Sequence, residues 1–320
     1  MRLAADIGGT KTVFALLDEA GKCVLKQSLA SADYACFDAA LQAFLPAEVS
    51  IDAACFGVAG AVLEQRCQLT NLNWLIDAQE LQRQFNTPKV KLLNDMQAMA
   101  LGMLQLSEED LLELNPQAQA RTGNIGVIAA GTGLGEAILY WDGLQHCAMA
   151  TEGGHCDFAP QTPLQDALLV YLRDIYGSHV SYERIISGIG FSHLYDFLAL
   201  QGTAPVCPLV SELAAGEDRN ALISQLGVRG EDSLCVAVVN FFVELYGAEA
   251  GNLALKSLAT GGVFIGGGIA PKILPALQKG LFLNAFTAKG RFNDLLSTVS
   301  IKVALNANTP LLGAMGFWSS

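Results

Sequence analysis

The sequence predicts an α/β fold built from two structurally related halves. Short apolar runs alternate with helical patterns along the 320 residues. A strand–glycine turn–strand pattern occurs twice, at 3–18 and 124–143, and strand and helix patterns follow it each time. Hydrophobic residues make up 52% of the chain and charged residues only 16%. This composition and length suit a globular protein of about two domains.

The first half opens with a predicted β-hairpin. LAADI (3–7) and TVFALLD (12–18) are apolar runs on either side of a Gly-Gly turn. VSIDAACFGVAG (49–60) predicts a strand that runs into a glycine turn, and VKLLND (90–95) predicts a strand that ends in two polar residues. MQAMALGMLQL (96–106) then has helical spacing.

The second half repeats this organisation. Residues 164–200 and 233–258 are helical in pattern, and GGVFIGGGIAPKIL (261–274) predicts a strand, a glycine turn and a helix opened by Pro271. The break between the halves is expected around residues 100–122, where SEEDLLELNPQAQARTG is locally polar. We therefore predict a smaller domain, 1–105 plus 302–320, whose last segment returns as a helix, and a larger domain, 106–301.

Composition excludes several classes of function. The net charge of −12 argues against a nucleic-acid surface, which needs clustered Lys and Arg. No secretory signal is visible at the N-terminus, so a cytoplasmic location is expected. The apolar stretch 233–255 is interrupted by Asn240, Glu244 and Glu249, which favours a buried helix over a membrane span. The eight cysteines form no CxxC pair and are expected to be reduced, mostly buried thiols.

Three glycine turns are candidates for phosphate binding. They are DIGGTKT (6–12), AAGTGLGE (129–136) and GGGIAP (266–271). Glycine lets backbone N–H groups approach a phosphate closely, although each turn alone is more simply a tight turn. None matches a Walker A or a dinucleotide motif. Together they favour a nucleotide held between the two halves, with Asp6 placed for a water-mediated Mg²⁺ contact.

Two further segments carry polar groups with open interpretations. Asp95 ends a strand where a helix begins, so it is either a base for an attacking hydroxyl or only a helix N-cap. TEGGHCDFAP (151–160) suggests a metal site, a nucleophilic Cys, a satisfied glycine loop or a site for hydroxyl groups. Catalytic zinc usually needs three protein ligands, and adjacent residues on an extended segment point apart, which disfavours the first two. Glu152 and His155 suit sugar hydroxyls.

Seven motifs in order give the chain a family resemblance. DIGGT, LLND, GTGLG, EGGHCDFAP, SYERIISG, GGVFIGGGIAP and NTPLLGAMG resemble the bacterial ATP-dependent glucokinases of the actin/hexokinase sugar-kinase superfamily. The resemblance covers nearly the whole chain and implies two actin-like (ribonuclease H-like) α/β domains with an interdomain cleft. The related ROK kinases and repressors carry a CxCGxxGC zinc motif, which this sequence lacks. Lys11, however, resembles the ROK proteins, which share DIGGTK, because many glucokinases of this branch have Asn at that position.

The resemblance also implies roles for individual residues. Asp95 corresponds to the catalytic base, and the sugar ligands correspond to Asn94, Glu152, His155 and Glu183. Without it, Glu183 would be interpreted as a solvated Glu in a first helical turn. Cys156 and Asp157 are expected to be structural. The residues expected around ATP and Mg²⁺ are Asp6, Gly8, Gly9, Thr10, Lys11, Gly131, Thr132, Gly133, Gly266, Gly267 and Gly268.

The expected reaction is transfer of the γ-phosphate of ATP to the 6-hydroxyl of glucose. The resemblance implies a homodimer, and neither a nucleic acid nor a membrane is an expected partner. One alternative is a kinase for another hexose or an amino sugar, because one architecture serves many sugars. Another is a non-catalytic sugar-responsive regulator. ADP and polyphosphate stay open as donors.

Overall fold

The computed structural model describes residues 1–69 and 72–318. The chain folds into two units, each with its own sheet. The first unit contains Met1–Asp110, Ala148–Ala150 and the segment from Asn306 onward, and the second contains Leu111–Cys147 and Thr151–Leu305. The predicted domains, 1–105 plus 302–320 and 106–301, stay a prediction, and a limit at 301/302 would cut the strand Ile301–Ala304.

The first unit is a five-stranded sheet covered by helices. Strands and helices are numbered in chain order. The unit contains β1 Arg2–Ile7, β2 Lys11–Leu17, β3 Cys23–Ala30, β4 Ala53–Val58, β5 Arg66–Gln68, β6 Leu75–Asp77, β7 Val90–Asn94, α1 Phe37–Phe44, α2 Ala78–Phe85, α3 Asp95–Met103 and α12 Thr309–Gly316. The sheet order is β3-β2-β1-β4-β7, and β5 pairs with β6 separately.

Both faces of this sheet are buried. Leu3, Ala5 and Ile7 pack in one cluster with the side chains of α1 and α2, whereas Ala4 packs in another with α3 and α12. Successive residues of a strand point to opposite faces, so two helical layers bury both sets. The final segment forms the helix α12, which packs on α3.

The second unit is a six-stranded sheet with a larger helical layer. Its sheet contains β8 Leu111–Glu113, β9 Ile125–Ala130, β10 Leu134–Trp141, β11 His146–Ala150, β12 Gly262–Gly266 and β13 Ile301–Ala304, of which the last three residues of β11 belong to the first unit by their contacts. Its helices are α4 Pro163–Tyr176, α5 Gly190–Leu200, α6 Pro208–Ser211, α7 Arg219–Arg229, α8 Ser233–Ser257, α9 Leu274–Leu277, α10 Leu281–Thr287 and α11 Asn293–Leu296. The sheet order is β11-β10-β9-β12-β13-β8.

The two sheets share one arrangement, which confirms the prediction of related halves. In the first unit β1 runs antiparallel to β2 and parallel to β4, which is parallel to β7. In the second, β9 runs antiparallel to β10 and parallel to β12, which is parallel to β13. The glycine turn between β1 and β2 and the one between β9 and β10 therefore occupy equivalent places in their two sheets.

Two predicted helical segments differ in detail from the structure. Residues 164–200 form α4, a short 3₁₀ turn and α5 in place of continuous helix. The helix expected from Pro271 is a 3₁₀ turn, Ala270–Ile273, followed by the four-residue α9. Pro275 lies at the start of α9 and has no N–H to donate to a preceding carbonyl, so a regular helix cannot continue through it.

Helix α8 is the central helix of the second unit. It is long and apolar enough to span a membrane by length and composition, but 72% of its most apolar window is buried inside the protein. Glu249 in its interior is fully buried. The prediction of a buried helix agrees with this packing.

Helices α3 and α12 meet at two glycines. A Cβ atom at Gly102 of α3 would collide with the carbonyl of Thr309, and one at Gly313 of α12 would collide with the carbonyl of Ala98. Glycine thus lets the two backbones touch, and α3 is the helix that begins with Asp95.

Gly102→Ala is expected to destabilise the protein by about 1–3 kcal/mol through this overpacking, although Ala is the better helix former by about 1 kcal/mol. Gly316→Ala is the matched control, because its Cβ would meet only the flexible side chain of Gln105, at 3.3–3.5 Å. Urea unfolding of both variants checks the prediction. An equal effect of the two substitutions would contradict it.

Candidate active site

The first glycine turn joins β1 to β2 and is held by hydrogen bonds. The amide of Gly8 donates to the carbonyl of Lys11 at 3.0 Å. Buried Ser31 donates from its hydroxyl to the Gly8 carbonyl at 2.8 Å and from its amide to the Thr10 carbonyl at 3.1 Å. Gly9 is half-buried, whereas Thr10 and Lys11 are exposed. The turn is a fixed loop with an exposed tip, and no sequence motif pointed to Ser31 as its support.

Asp6 and Asp95 lie at the same edge of the first sheet. Asp6 of β1 lies opposite Gly57 of β4, and Gly57 lies opposite Leu93 of β7, which Asn94 and Asp95 follow. Burial chiefly, and then the charge of Asp95, raises the pKa of Asp6 to about 6 against a lowering effect of Lys11. Two negative charges at this edge therefore repel each other, and a proton or a cation would relieve the repulsion.

Asn94, and not Asp95, caps helix α3. Asn94 Oδ1 accepts from the amide of Gln97 at 2.8 Å, and Gln97 Oε1 accepts from the amide of Asn94 at 3.3 Å. Asp95 is the first helical residue, and its Oδ1 accepts from the amide of Met96 at 2.8 Å. The alternative of Asp95 as only an N-cap is therefore wrong. Its carboxylate lies at the N-terminus of α3, where the helix dipole favours negative charge.

The second and third glycine turns come together in the second unit. The amide of Gly131 donates to the carbonyl of Gly133 at 2.8 Å, and Ala130 accepts from the amide of Ile269 at 3.2 Å. Gly267 has a φ of +82°, and a Cβ atom there would collide with the backbone of Ala130. The predicted segments Gly131–Gly133 and Gly266–Gly268 are thus neighbours, although they are far apart in sequence.

A cavity of about 780 Å³ opens beside these turns. Thr132 and Gly268 are on its wall with residues of α7, which the sequence did not indicate as part of a site. Asn220 of α7 is fixed there because its Oδ1 accepts from the hydroxyl of Ser192 at 2.6 Å. Other lining residues are Gly131, Gly188, Phe191, Asp218, Ala221, Ser224, Gln225, Val228, Arg229, Ile269 and Lys272. The wall combines apolar contacts with a few polar groups, as in small-molecule pockets.

The loop that carries Glu152 and His155 turns tightly over β10. Gly153–His155 form a 3₁₀ turn, and the amide of Gly153 donates to Thr151 Oγ1 at 3.2 Å. A Cβ atom at Gly154 would collide with the carbonyl of Leu134. The glycines hold the loop against the strand, while Glu152 and His155 are exposed.

Glu183 lies next to both this loop and the second glycine turn. Its Oε2 accepts from the amide of Leu134 at 3.1 Å, and its Oε1 lies 3.9 Å from His155 Nδ1. Glu183 belongs to a three-residue 3₁₀ turn, and its carboxylate is partly buried and hydrogen-bonded, unlike that of a solvated Glu in the first turn of an α-helix. The structure brings Glu183 and His155 together as polar groups able to accept from or donate to hydroxyls.

Cys156 and Asp157 differ from each other in the structure. Cys156 is exposed and not packed, contrary to expectation, whereas Asp157 pairs with His179 Nε2 at 3.2 Å. None of the eight cysteines, all of which are described, is in a disulfide, and four of them are buried. Cys207, Asp232 and Cys235 form a compact cluster elsewhere. Asp232 there caps α8 by accepting from the amide of Cys235 at 2.9 Å.

The comparison with protein families decides the identity of the chain. The model of the glucokinase family matches residues 3–319. The chain belongs to the glucokinase family. This membership confirms the predicted family and the predicted class of enzyme, an ATP-dependent hexose kinase.

Individual glucokinases are similar along their whole length. The glucokinase of Nostoc sp. is 38% identical over 98% of this chain and 97% of its own, and that of Synechocystis sp. is 37% identical over 98% and 96%. The crystal structure of a glucokinase from an Antarctic psychrotroph has a TM-score of 0.86 at 32% identity, covering 99% and 98% of the chains. A ROK family glucokinase from Streptomyces griseus, at 20% identity and a TM-score of 0.66, shares the fold. The predicted actin-like α/β fold class is thereby confirmed.

Proposed function

We propose that the protein transfers the γ-phosphate of ATP to the 6-hydroxyl of glucose. The position of Asp95 at the first residue of α3, directly after the capping Asn94, carries the proposal beyond family membership. Phosphoryl transfer asks the protein for positioning and charge stabilisation more than for covalent chemistry. A carboxylate held in a fixed place can position the attacking hydroxyl and accept its proton.

The sugar is held by Asn94, Glu152, His155 and Glu183 in this proposal. The carbonyl oxygen of Asn94 is engaged in the helix cap, so its amide NH₂ is the group that it offers to a sugar oxygen. Glu152 and Glu183 accept hydrogen bonds from hydroxyls, and His155 accepts or donates according to its tautomer. The glucokinase from Balamuthia mandrillaris has been crystallised with glucose, at 20% identity to this chain.

The nucleotide is held by the glycine turns in this proposal. The residues proposed to bind the phosphates are Gly8, Gly9, Thr10 and Lys11 of the first unit and Gly131, Thr132 and Gly133 of the second. Backbone N–H groups of such turns bind phosphate oxygens without a basic surface, which suits a chain with a net charge of −12. The cavity beside Gly266–Gly268 has apolar walls for a purine ring and polar residues for a ribose.

Asp6 fits a role beside the metal of the nucleotide. Burial, and then the charge of Asp95, raises the pKa of its half-buried carboxyl group, so a dication held nearby would stabilise both carboxylates. Mg²⁺ keeps several waters when bound to nucleotides and would neutralise charge on the β- and γ-phosphate oxygens. Asp6 would then orient one of those waters.

The test is a panel of sugars and donors on the purified protein. Glucose, mannose, fructose and N-acetylated sugars are assayed with ATP, ADP or polyphosphate, with and without Mg²⁺, and the phosphorylated position is identified. We expect glucose 6-phosphate from ATP, with magnesium required. Preference for another sugar or another donor would replace that part of the proposal. No turnover with any sugar would favour the sugar-responsive regulator.

Substitutions at Asn94 separate its two roles. Asn94→Ala is expected to lose the cap, about 1 kcal/mol of stability, and to raise the KM for glucose. Asn94→Ser keeps the cap, because Ser is an equally good N-cap residue, but removes the amide that the sugar would use. Urea unfolding and glucose kinetics of both variants check this. An unchanged KM in the Ser variant would remove Asn94 from the sugar site.

A homodimer and a cytoplasmic location complete the proposal. Light scattering of the purified protein measures the first, and fractionation of cells that express it measures the second. Neither result alters the assignment of the chemistry.

A further inference from the structure

A buried carboxyl group lies directly beneath the loop that carries Glu152 and His155. Glu136 of β10 is 2% exposed, and its Oε1 has no hydrogen-bond partner among the described residues. A Cβ atom at Gly153 would collide with this carboxyl group. Thr151, at the start of the loop, donates from its hydroxyl to the backbone carbonyl of Glu136 at 2.9 Å. The loop therefore packs on Glu136 at one side chain and one backbone group.

Glu249 of α8 is fully buried and lies close to Glu136. Its Oε1 accepts from Lys256 Nζ at 3.1 Å, and its Oε2 accepts from Asn252 Nδ2 at 2.8 Å. Donors therefore occupy both oxygens of Glu249, whereas Oε1 of Glu136 has none among the described residues. Burial first, and then the charge of Glu249, raises the pKa of Glu136 to about 8, against a lowering effect of Lys256.

The other titratable groups around the pair are Lys289, Tyr182, Tyr246 and Cys156. Lys289 Nζ donates to Asn252 Oδ1 at 2.6 Å, and Asn252 also donates to the hydroxyl of Tyr182 at 3.2 Å. Burial lowers the pKa of Lys289 and raises the pKa values of Tyr182 and Tyr246. Burial lowers the pKa of Lys256, but its interactions with Glu249, with a smaller contribution from nearby Cys156, raise that pKa overall. A glutamine at position 136 leaves every one of these groups in place.

We propose that Glu136 is a positioning residue for sugar binding: as a neutral acid beside Glu249, it supports Gly153 and so fixes Glu152 and His155. This inference rests on the proposed role of those two residues. Ionisation of Glu136 would place two adjacent negative charges in the interior, and buried charge without a partner is strongly unfavourable. The loop has to move or admit water to relieve this repulsion, and either change displaces Glu152 and His155.

The sign of the pH effect follows from the direction of the shift. The folded pKa of Glu136 lies above that of an exposed Glu, so the neutral form persists until the pH passes about 8. One pH unit above a pKa about a tenth of a carboxyl group stays neutral, so the apparent KM for glucose rises about tenfold if only the neutral form binds. The kcat at saturating sugar changes less, because the sugar itself selects the neutral form.

The experiment compares the parent with Glu136→Gln from pH 7 to pH 9.5. We expect the KM for glucose of the parent to rise about tenfold by pH 9, and that of the variant to stay near its value at pH 7. Glu212→Gln, which changes an exposed residue of the same unit, should keep the profile of the parent. A flat parent profile, or a parallel rise in Glu136→Gln, would overturn the inference.

A second measurement does not depend on activity. In protein labelled with ¹³C at the glutamate carboxyl groups, one resonance should titrate near pH 8 and be missing from Glu136→Gln. Absence of that resonance in the parent overturns the inference even if glucose is phosphorylated as proposed. If the parent phosphorylates no sugar at pH 7, the proposed function fails instead, whatever the resonance shows.

Discussion

Asp95→Asn is expected to lower the kcat for glucose phosphorylation by about 10²–10⁴-fold, the usual contribution of a general base. Asparagine keeps the shape of the side chain and its ability to accept the hydrogen bond from Met96. It cannot take a proton from the attacking hydroxyl. The KM for ATP should change little, because the glycine turns and not Asp95 hold the phosphates in the proposal.

The fold should survive this change. Burial, and then the charge of Asp95, raises the pKa of Asp6, so removal of that charge relieves a repulsion. Circular dichroism and urea unfolding measure this directly. Asp38→Asn is the matched control, because Asp38 is an exposed acidic residue in the first turn of α1 in the same unit. A kcat within tenfold of the parent in folded Asp95→Asn would exclude Asp95 as the base.

The central strands and their turns could be predicted from the sequence because their signals are local. Apolar runs on either side of Gly8–Gly9 and Gly131–Gly133 identify both hairpins, and the polar pair after 90–93 identifies the end of β7. The exposed strand β3 has no such signal, since most of its residues are exposed. The interruption of the predicted helix before α9 could have been predicted only by considering Pro275 together with Pro271.

The candidate site was predictable only where one motif carries it. Asp95 and the loop of Glu152 and His155 are each contiguous in sequence, and the family resemblance gave them roles. Which residue caps α3 depends on the backbone conformation of Asn94, which adjacent Asn and Asp residues do not reveal. Glu136 lies beside Glu249, which is on a helix far away in the sequence, so no local sequence pattern predicts this buried pair of carboxyl groups.

The cavity wall was missed for the same reason. Helix α7 contributes Asn220 and several neighbours, and nothing in their spacing suggests a ligand. Their role follows from the folding of α7 against Gly131–Thr132 and Gly268. Site residues that lie close together in the sequence could therefore be predicted, whereas those brought together from distant parts of the chain could not.

Gly267→Ala is expected to destabilise the second unit and to weaken ATP binding. Alanine at a φ of +82° is strained by about 1–2 kcal/mol. Its Cβ would also meet the backbone of Ala130, and overpacking of this kind costs about 1–3 kcal/mol more. Because Ala130 leads into Gly131–Gly133, relief of the collision moves the turn that is proposed to bind phosphate.

The neighbouring Gly268→Ala is the control. A Cβ atom there meets nothing within 4 Å, and its φ lies outside the strained positive range. We expect Gly268→Ala to unfold within about 1 kcal/mol of the parent, as substitutions without a packing or backbone conflict do. Gly267→Ala should unfold at clearly lower urea and show a higher KM for ATP, with a smaller change in the KM for glucose. Equal stability of the two variants would show that the approach of Gly267 to Ala130 does not hold the turns together.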